Sequence, residues 1–113
     1  MKKIAICAGC LLASLSIFGQ APQTFKGEIL DSQCASLGGH QIMEQKGESG
    51  KDCTNRCVNM GGHYTLFDAS TKTAYQLDDA KKAAAFAGAK VMVTGTLNPT
   101  TKTIKVASIK AGA

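Results

Sequence analysis

The chain has 113 residues, 12 glycines, five cysteines and a formal net charge of +5, with aromatic residues at only 5%. That length accommodates one small domain, near the lower end of what a single core stabilises. The lysines are scattered (Lys26, Lys46, Lys51, Lys72, Lys90, Lys102) and form no tract, which argues for a solvated surface and against a nucleic-acid footprint.

Residues 1–21 read as a Sec-type signal peptide. Lys2 and Lys3 form the basic start, Ile4 to Phe18 is uncharged and mostly apolar, and Gly19-Gln20-Ala21 supplies small residues for cleavage after Ala21. The apolar run is shorter than the roughly 20 residues a membrane span needs. The expectation is therefore an exported protein, periplasmic or extracellular, with no transmembrane segment once the signal is removed. Its mature domain is 22–113, with 11 Lys and Arg against 8 Asp and Glu.

Thr24 to Asp31 alternates at period two, with Phe25, Gly27 and Ile29 on one face, and predicts the first strand. Residues 32–62 are polar and glycine-rich and hold every mature cysteine; they read as a long insert. Within it, Asp52 can cap a short helix from Cys53 to Met60, stopped by Gly61-Gly62. His63 to Asp68 is a second strand whose inner face is ambiguous, since Tyr64 and Leu66 oppose Thr65 and Phe67. Turn chemistry over Asp68 to Thr73 leads to a third strand, Ala74 to Leu77. Asp78-Asp79 caps a short helix with Ala80, Ala83, Ala84 and Ala87 at helical spacing, and Gly88 ends it. A fourth strand places Val91, Val93, Gly95 and Leu97 inward. The last strand, Thr103 to Lys110, has Ile104 and Val106 inward and Ile109 out of phase, which predicts a bulge near Ala107 or Ser108. A helix between the third and fourth of five strands is the element order of an OB-like barrel. The predicted fold is thus mainly β: a small OB-like five-stranded barrel, with one short helix and a Cys/His-containing insert after the first strand.

The chemistry concentrates in the insert. Cys53 and Cys57 are four residues apart, so their sulfurs share one helix face. A first-turn position for Cys53, with Arg56 nearby, would favour a thiolate. Cys34-Ala-Ser-Leu-Gly-Gly-His40 is echoed by Cys57-Val-Asn-Met-Gly-Gly-His63, giving C-x5-H-x12-C-x3-C-x5-H overall. If each glycine pair ends a helical turn, each histidine can fold back toward its own cysteine. Cys and His suit zinc or copper, and the thioethers of Met43 and Met60 tilt the choice toward copper. The candidate metal ligands are Cys34, His40, Cys53, Cys57 and His63. Two other readings stay open. Export favours a disulfide from Cys34 to Cys53 or Cys57, stapling a structural or interaction module that docks an envelope protein partner; a loop of about 20 residues closed this way is worth roughly 3 kcal/mol. The third reading is a thiol redox protein using Cys53 and Cys57.

Enzymatic alternatives find little footing. The acidic residues lie mainly at turns and caps, and no group is placed to orient Ser32 or Ser36 with His40 as a nucleophile–base pair. No phosphate-cradling Gly-Lys motif occurs. The five mature aromatics (Phe25, Tyr64, Phe67, Tyr75, Phe86) are needed for a core, not for stacking bases.

Asp31-Ser-Gln-Cys34, Cys53-Thr-Asn-Arg-Cys57-Val58 and Val93-Thr-Gly-Thr-Leu97, with Gly61-Gly-His-Tyr-Thr-Leu66, together resemble an uncharacterised family of small secreted bacterial proteins, common in soil bacteria including acidobacteria. The resemblance spans nearly all of 22–113. It implies an OB-like barrel and a recurrent Cys/His set matching Cys34, His40, Cys53 and Cys57, with His63 a looser match. That favours a Cys3His site.

Overall fold

The computed structural model describes residues 21–39, 45 and 47–112. The expected signal segment (apart from Ala21), the candidate ligand His40 and the nearby thioether of Met43 lie outside the described residues.

Alternating apolar and polar side chains form five strands: β1 (Gln23–Asp31), β2 (Tyr64–Asp68), β3 (Thr73–Leu77), β4 (Lys90–Asn98) and β5 (Thr103–Ala111). They close into a barrel in the order β1-β2-β3-β5-β4. β1 serves two neighbours in turn. Its first six residues pair antiparallel with β4, and its last four with β2, with Phe25 opposite Val93 and Ile29 opposite Leu66. A parallel contact between β3 and β5 completes the ring. Closure removes the exposed strand edges that a small open sheet would leave. This is the expected OB-like topology.

The barrel interior is filled by Ile29, Leu66, Ala83, Val91, Val93 and Ile104, with Phe25, Tyr75 and Phe86 packed around them. The short helix between β3 and β4 supplies Ala83 to this core, and Ala87, in the turn that follows, is buried as well. The Asp79 side chain caps that helix by accepting from the Lys82 N–H at 3.0 Å. The expected bulge is present: Thr94 pairs with Ser108 and Gly95 with Val106, which leaves Ala107 as the extra residue. Backbone groups around it find side-chain partners. Asp78 Oδ1 accepts from the Val106 N–H at 2.8 Å, and Lys82 Nζ donates to the Ala107 carbonyl at 3.3 Å. Among the described residues, no helix is long and apolar enough to cross a membrane.

The described part of the insert holds two helices, α1 (Ser32–Ser36) and α2 (Gly50–Asn59), against the outside of the barrel; the alanine helix Ala80–Ala84 is α3. A second buried cluster forms there from Leu30, Cys34, Ala35, Cys53, Cys57 and Phe67. This explains why β2 shows no clear inner face. Leu66 points into the barrel, Phe67 points into the insert cluster, and both are buried. The same holds for Ile29 and Leu30 on β1. Burying Leu30 and Phe67 contributes about 1.5–3 kcal/mol each, which matches or exceeds what one disulfide would add. Tyr64 adds a polar tie, donating from its hydroxyl to Asn55 Oδ1 on α2 at 2.6 Å.

Candidate metal centre

The insert's two Cys-x-x-(Leu/Met)-Gly-Gly segments adopt the same helix ending. The Leu37 N–H bonds to the carbonyls of Gln33 and Cys34, and the Met60 N–H to those of Arg56 and Cys57. Gly38 and Gly61 both have positive φ, at +90° and +110°, where a side chain would be strained. Gly39 and Gly62 then return an N–H to the carbonyls of Cys34 and Cys57 respectively. Each is a Schellman ending with a cysteine three positions inside the helix. The internal echo in the sequence is therefore a repeat of backbone structure, and both glycine pairs stop a helix as expected.

The exit of α2 is fastened to the entrance of α1. The Ser32 N–H donates to the His63 carbonyl at 2.8 Å, and the His63 N–H donates to Ser32 Oγ at 3.2 Å. Asp31 caps α1, its Oδ2 accepting from the Gln33 N–H at 2.9 Å. Its other oxygen is buried without a hydrogen-bond partner and lies against Gly62. These ties bring the α1 cysteine beside the two α2 cysteines. The ligand atoms of Cys34, Cys53 and Cys57 all lie within 4.8 Å of one another, and all three residues are buried. Around a tetrahedral zinc with Zn–S near 2.3 Å, sulfurs sit about 3.8 Å apart. The three thiols need to close by at most about 1 Å to share one ion.

None of the three is in a disulfide. The stapled alternative is therefore not what this structure shows; the insert is held by packing and hydrogen bonds instead. The helix carrying Cys53 also starts earlier than the sequence suggests. Its cap is Ser49, which accepts from the Asp52 N–H at 3.0 Å, so Asp52 sits in the first turn and not at the cap. Cys53 is the fourth helical residue, and its own N–H is already spent on the Ser49 carbonyl at 2.9 Å. The expectation of a helix terminus lowering the Cys53 thiol is overturned: burial, then the neighbouring Cys57, push it up. Burial drives Cys34 further, to about 12, with Cys57, Cys53 and Asp31 adding repulsion for a thiolate. Cys34 and Cys53, whose thiolates are disfavoured by burial and by neighbouring groups, gain most when a cation arrives to share their charge.

Sequence reasoning missed a charged pair at the edge of this cluster. Arg56 Nε and Nη2 grip Glu48 at 2.8 and 3.0 Å, a two-pronged contact. Arg56 Nη2 also lies 4.0 Å from Cys53 Sγ. The grip, together with the Gln45 N–H bonded to Glu48 Oε1 at 2.9 Å, holds the Glu48 carboxyl down at about 2. Glu48 and Arg56 are eight residues apart across a helix start, outside any periodic pairing rule, so only the echo of the cysteine segments signalled this region. His63 is brought near α1 through its backbone, but its side chain is exposed and does not belong to the three-residue group.

No family model, curated protein or solved structure matches the chain.

Proposed function

We propose that this is an exported, non-enzymatic domain that binds one soft or borderline metal ion, Zn²⁺ or Cu⁺, through the thiolates of Cys34, Cys53 and Cys57. The observation that carries the reading is the convergence of three buried, unbonded thiols from two separate helices within 4.8 Å. A buried cysteine alone is an ordinary small hydrophobe. Three facing one another give up apolar packing for a soft donor set that matches these ions. His40, next after the Cys34 segment, is the candidate for a fourth ligand, with His63 as the alternative. The role would be storage, delivery or sensing of the ion. Export rests on the basic, apolar and small-residue order of residues 1–21.

The test is elemental analysis of protein recovered from the periplasm, combined with thiol counting under denaturing conditions. One equivalent of metal and three titratable thiols are expected after chelation. Two oxidised cysteines with no stoichiometric metal would overturn the reading in favour of a disulfide-bonded module.

A further inference from the structure

The three thiols differ in their access to solvent. Cys34 and Cys53 are 0% exposed, while Cys57 is 7% exposed. Cys57 borders a surface cavity of about 260 Å³ that is also lined by Ser32, Gln33, Arg56 and Met60. Met60 is the residue that ends α2, and at 75% exposure it leaves a large apolar side chain in water. Packing does not account for that position, since burial of such a chain is worth about 1.5–3 kcal/mol. It is three residues beyond Cys57, so the two sulfur-bearing side chains stand on the same face, one turn apart.

A thioether is a neutral, soft donor. It binds Cu⁺ and has little affinity for harder or borderline divalent ions. We propose that Met60 is the loading ligand of the metal centre, receiving Cu⁺ at the mouth of the Cys57 cavity and passing it inward. The proposal rests on the metal-binding reading and narrows its ion to monovalent copper. Cu⁺ arrives held by the soft ligands of a carrier. Met60 Sδ lends a lone pair and displaces one carrier ligand, with no proton moved. Cys57 Sγ then displaces a second, releasing its thiol proton to the solvent in the cavity. Cys53 and Cys34, deeper in, bond next and each releases one proton. Met60 lets go as thiolates replace it, and copper stays Cu⁺ throughout.

The test uses the purified, reduced protein under anaerobic ascorbate, with Cu⁺ supplied as its coloured bathocuproine disulfonate complex. Stopped-flow loss of the colour reports transfer. Met60→Ala and Met60→Leu should both slow transfer several-fold and leave the final copper-to-protein ratio unchanged. Zn²⁺ uptake from a chromogenic chelator should keep the wild-type rate in both variants. Unchanged Cu⁺ rates, or equal slowing of Zn²⁺, would overturn the loading role; Met60→Leu keeps the bulk and helix preference, so a folding defect would not mimic the result. Wild-type protein that takes up Zn²⁺ but no Cu⁺ would overturn this proposal alone. Uptake of neither ion would remove the metal centre itself.

Discussion

The Asp31 carboxylate packs so closely on Gly62 that a methyl group at position 62 would overlap Asp31 Oδ1. One residue caps the helix that carries Cys34, and the other ends the helix that carries Cys53 and Cys57. Their contact sets the distance between the two halves of the thiol cluster. Gly62→Ala should therefore destabilise the protein by about 1–3 kcal/mol, the usual cost of overpacking a close contact. It should also weaken metal binding, because Asp31 cannot move without loosening the α1 cap. Denaturant midpoints and a metal competition titration read the two effects. An unchanged midpoint would show that the contact is slack.

Metal removal should lower stability by an amount set by mass action. At a free Zn²⁺ concentration one hundred times the dissociation constant, the bound ion adds about 2.7 kcal/mol. Chelation should remove this increment in the wild type. Cys53→Ala and Cys57→Ala should lack it from the outset, while costing the metal-free protein only about 1 kcal/mol for lost apolar contact. The serine variants should cost more, about 1–3 kcal/mol, because a buried hydroxyl would need a partner. Thermal or denaturant unfolding with and without chelator separates these cases. An alanine variant that retains the full chelator-sensitive increment would argue against three-thiol ligation.

The barrel was legible because strand alternation is a direct record of which face is buried. Even the bulge at Ala107 shows as Ile109 falling out of phase. Legibility failed where both faces are covered: Leu66 and Phe67 are both apolar because β2 separates two cores. The sequence points to a later start for α2 than the structure has, because Asp52 has the same capping chemistry as Ser49, and Gly50 in the first turn looks like a break. The five-residue α1 is too short to show a period, yet its ending is written in the Cys-x-x-Leu-Gly-Gly echo. The Glu48–Arg56 grip spans eight residues across a helix start and follows no periodic spacing, so local patterns do not encode it.

The thiols predict an alkaline limit for the metal-free protein. Cys34 and Cys53 are held above the ordinary thiol value of 9.0, Cys34 at about 12. A group raised on folding stabilises the native state below its unfolded pKa, and that contribution is lost as pH climbs through the folded one. The thiols' contribution should thus be constant below about pH 9 and decline from there toward about 12. Cys34→Ala should blunt the decline. Metal affinity should move the other way at neutral pH, rising about tenfold per pH unit for each thiol proton released. Metal affinity that does not change between pH 6 and 8 would contradict binding to these protonated thiols.

The Glu48–Arg56 contact predicts the acid limb. Glu48 is held at about 2 against an ordinary value of 4.5, chiefly by the Arg56 guanidinium and next by the Gln45 N–H. A carboxyl lowered on folding stabilises the native state above its unfolded pKa, and that help disappears as pH falls through the folded one. Glu48→Gln keeps the size and an acceptor oxygen but cannot ionise. The wild type should therefore be more stable than this variant above about pH 5, and the two curves should converge as pH approaches about 2. High salt should narrow the gap, since the pair is partly exposed to solvent. The same variant should lower metal affinity modestly. Glu48 fixes the guanidinium whose Nη2 lies 4.0 Å from Cys53 Sγ, and that positive charge would offset the excess negative charge of three thiolates around a bound ion. Parallel stability curves across the acid range would show that the carboxylate contributes nothing to folding, and the positioning role for Arg56 would fall with it.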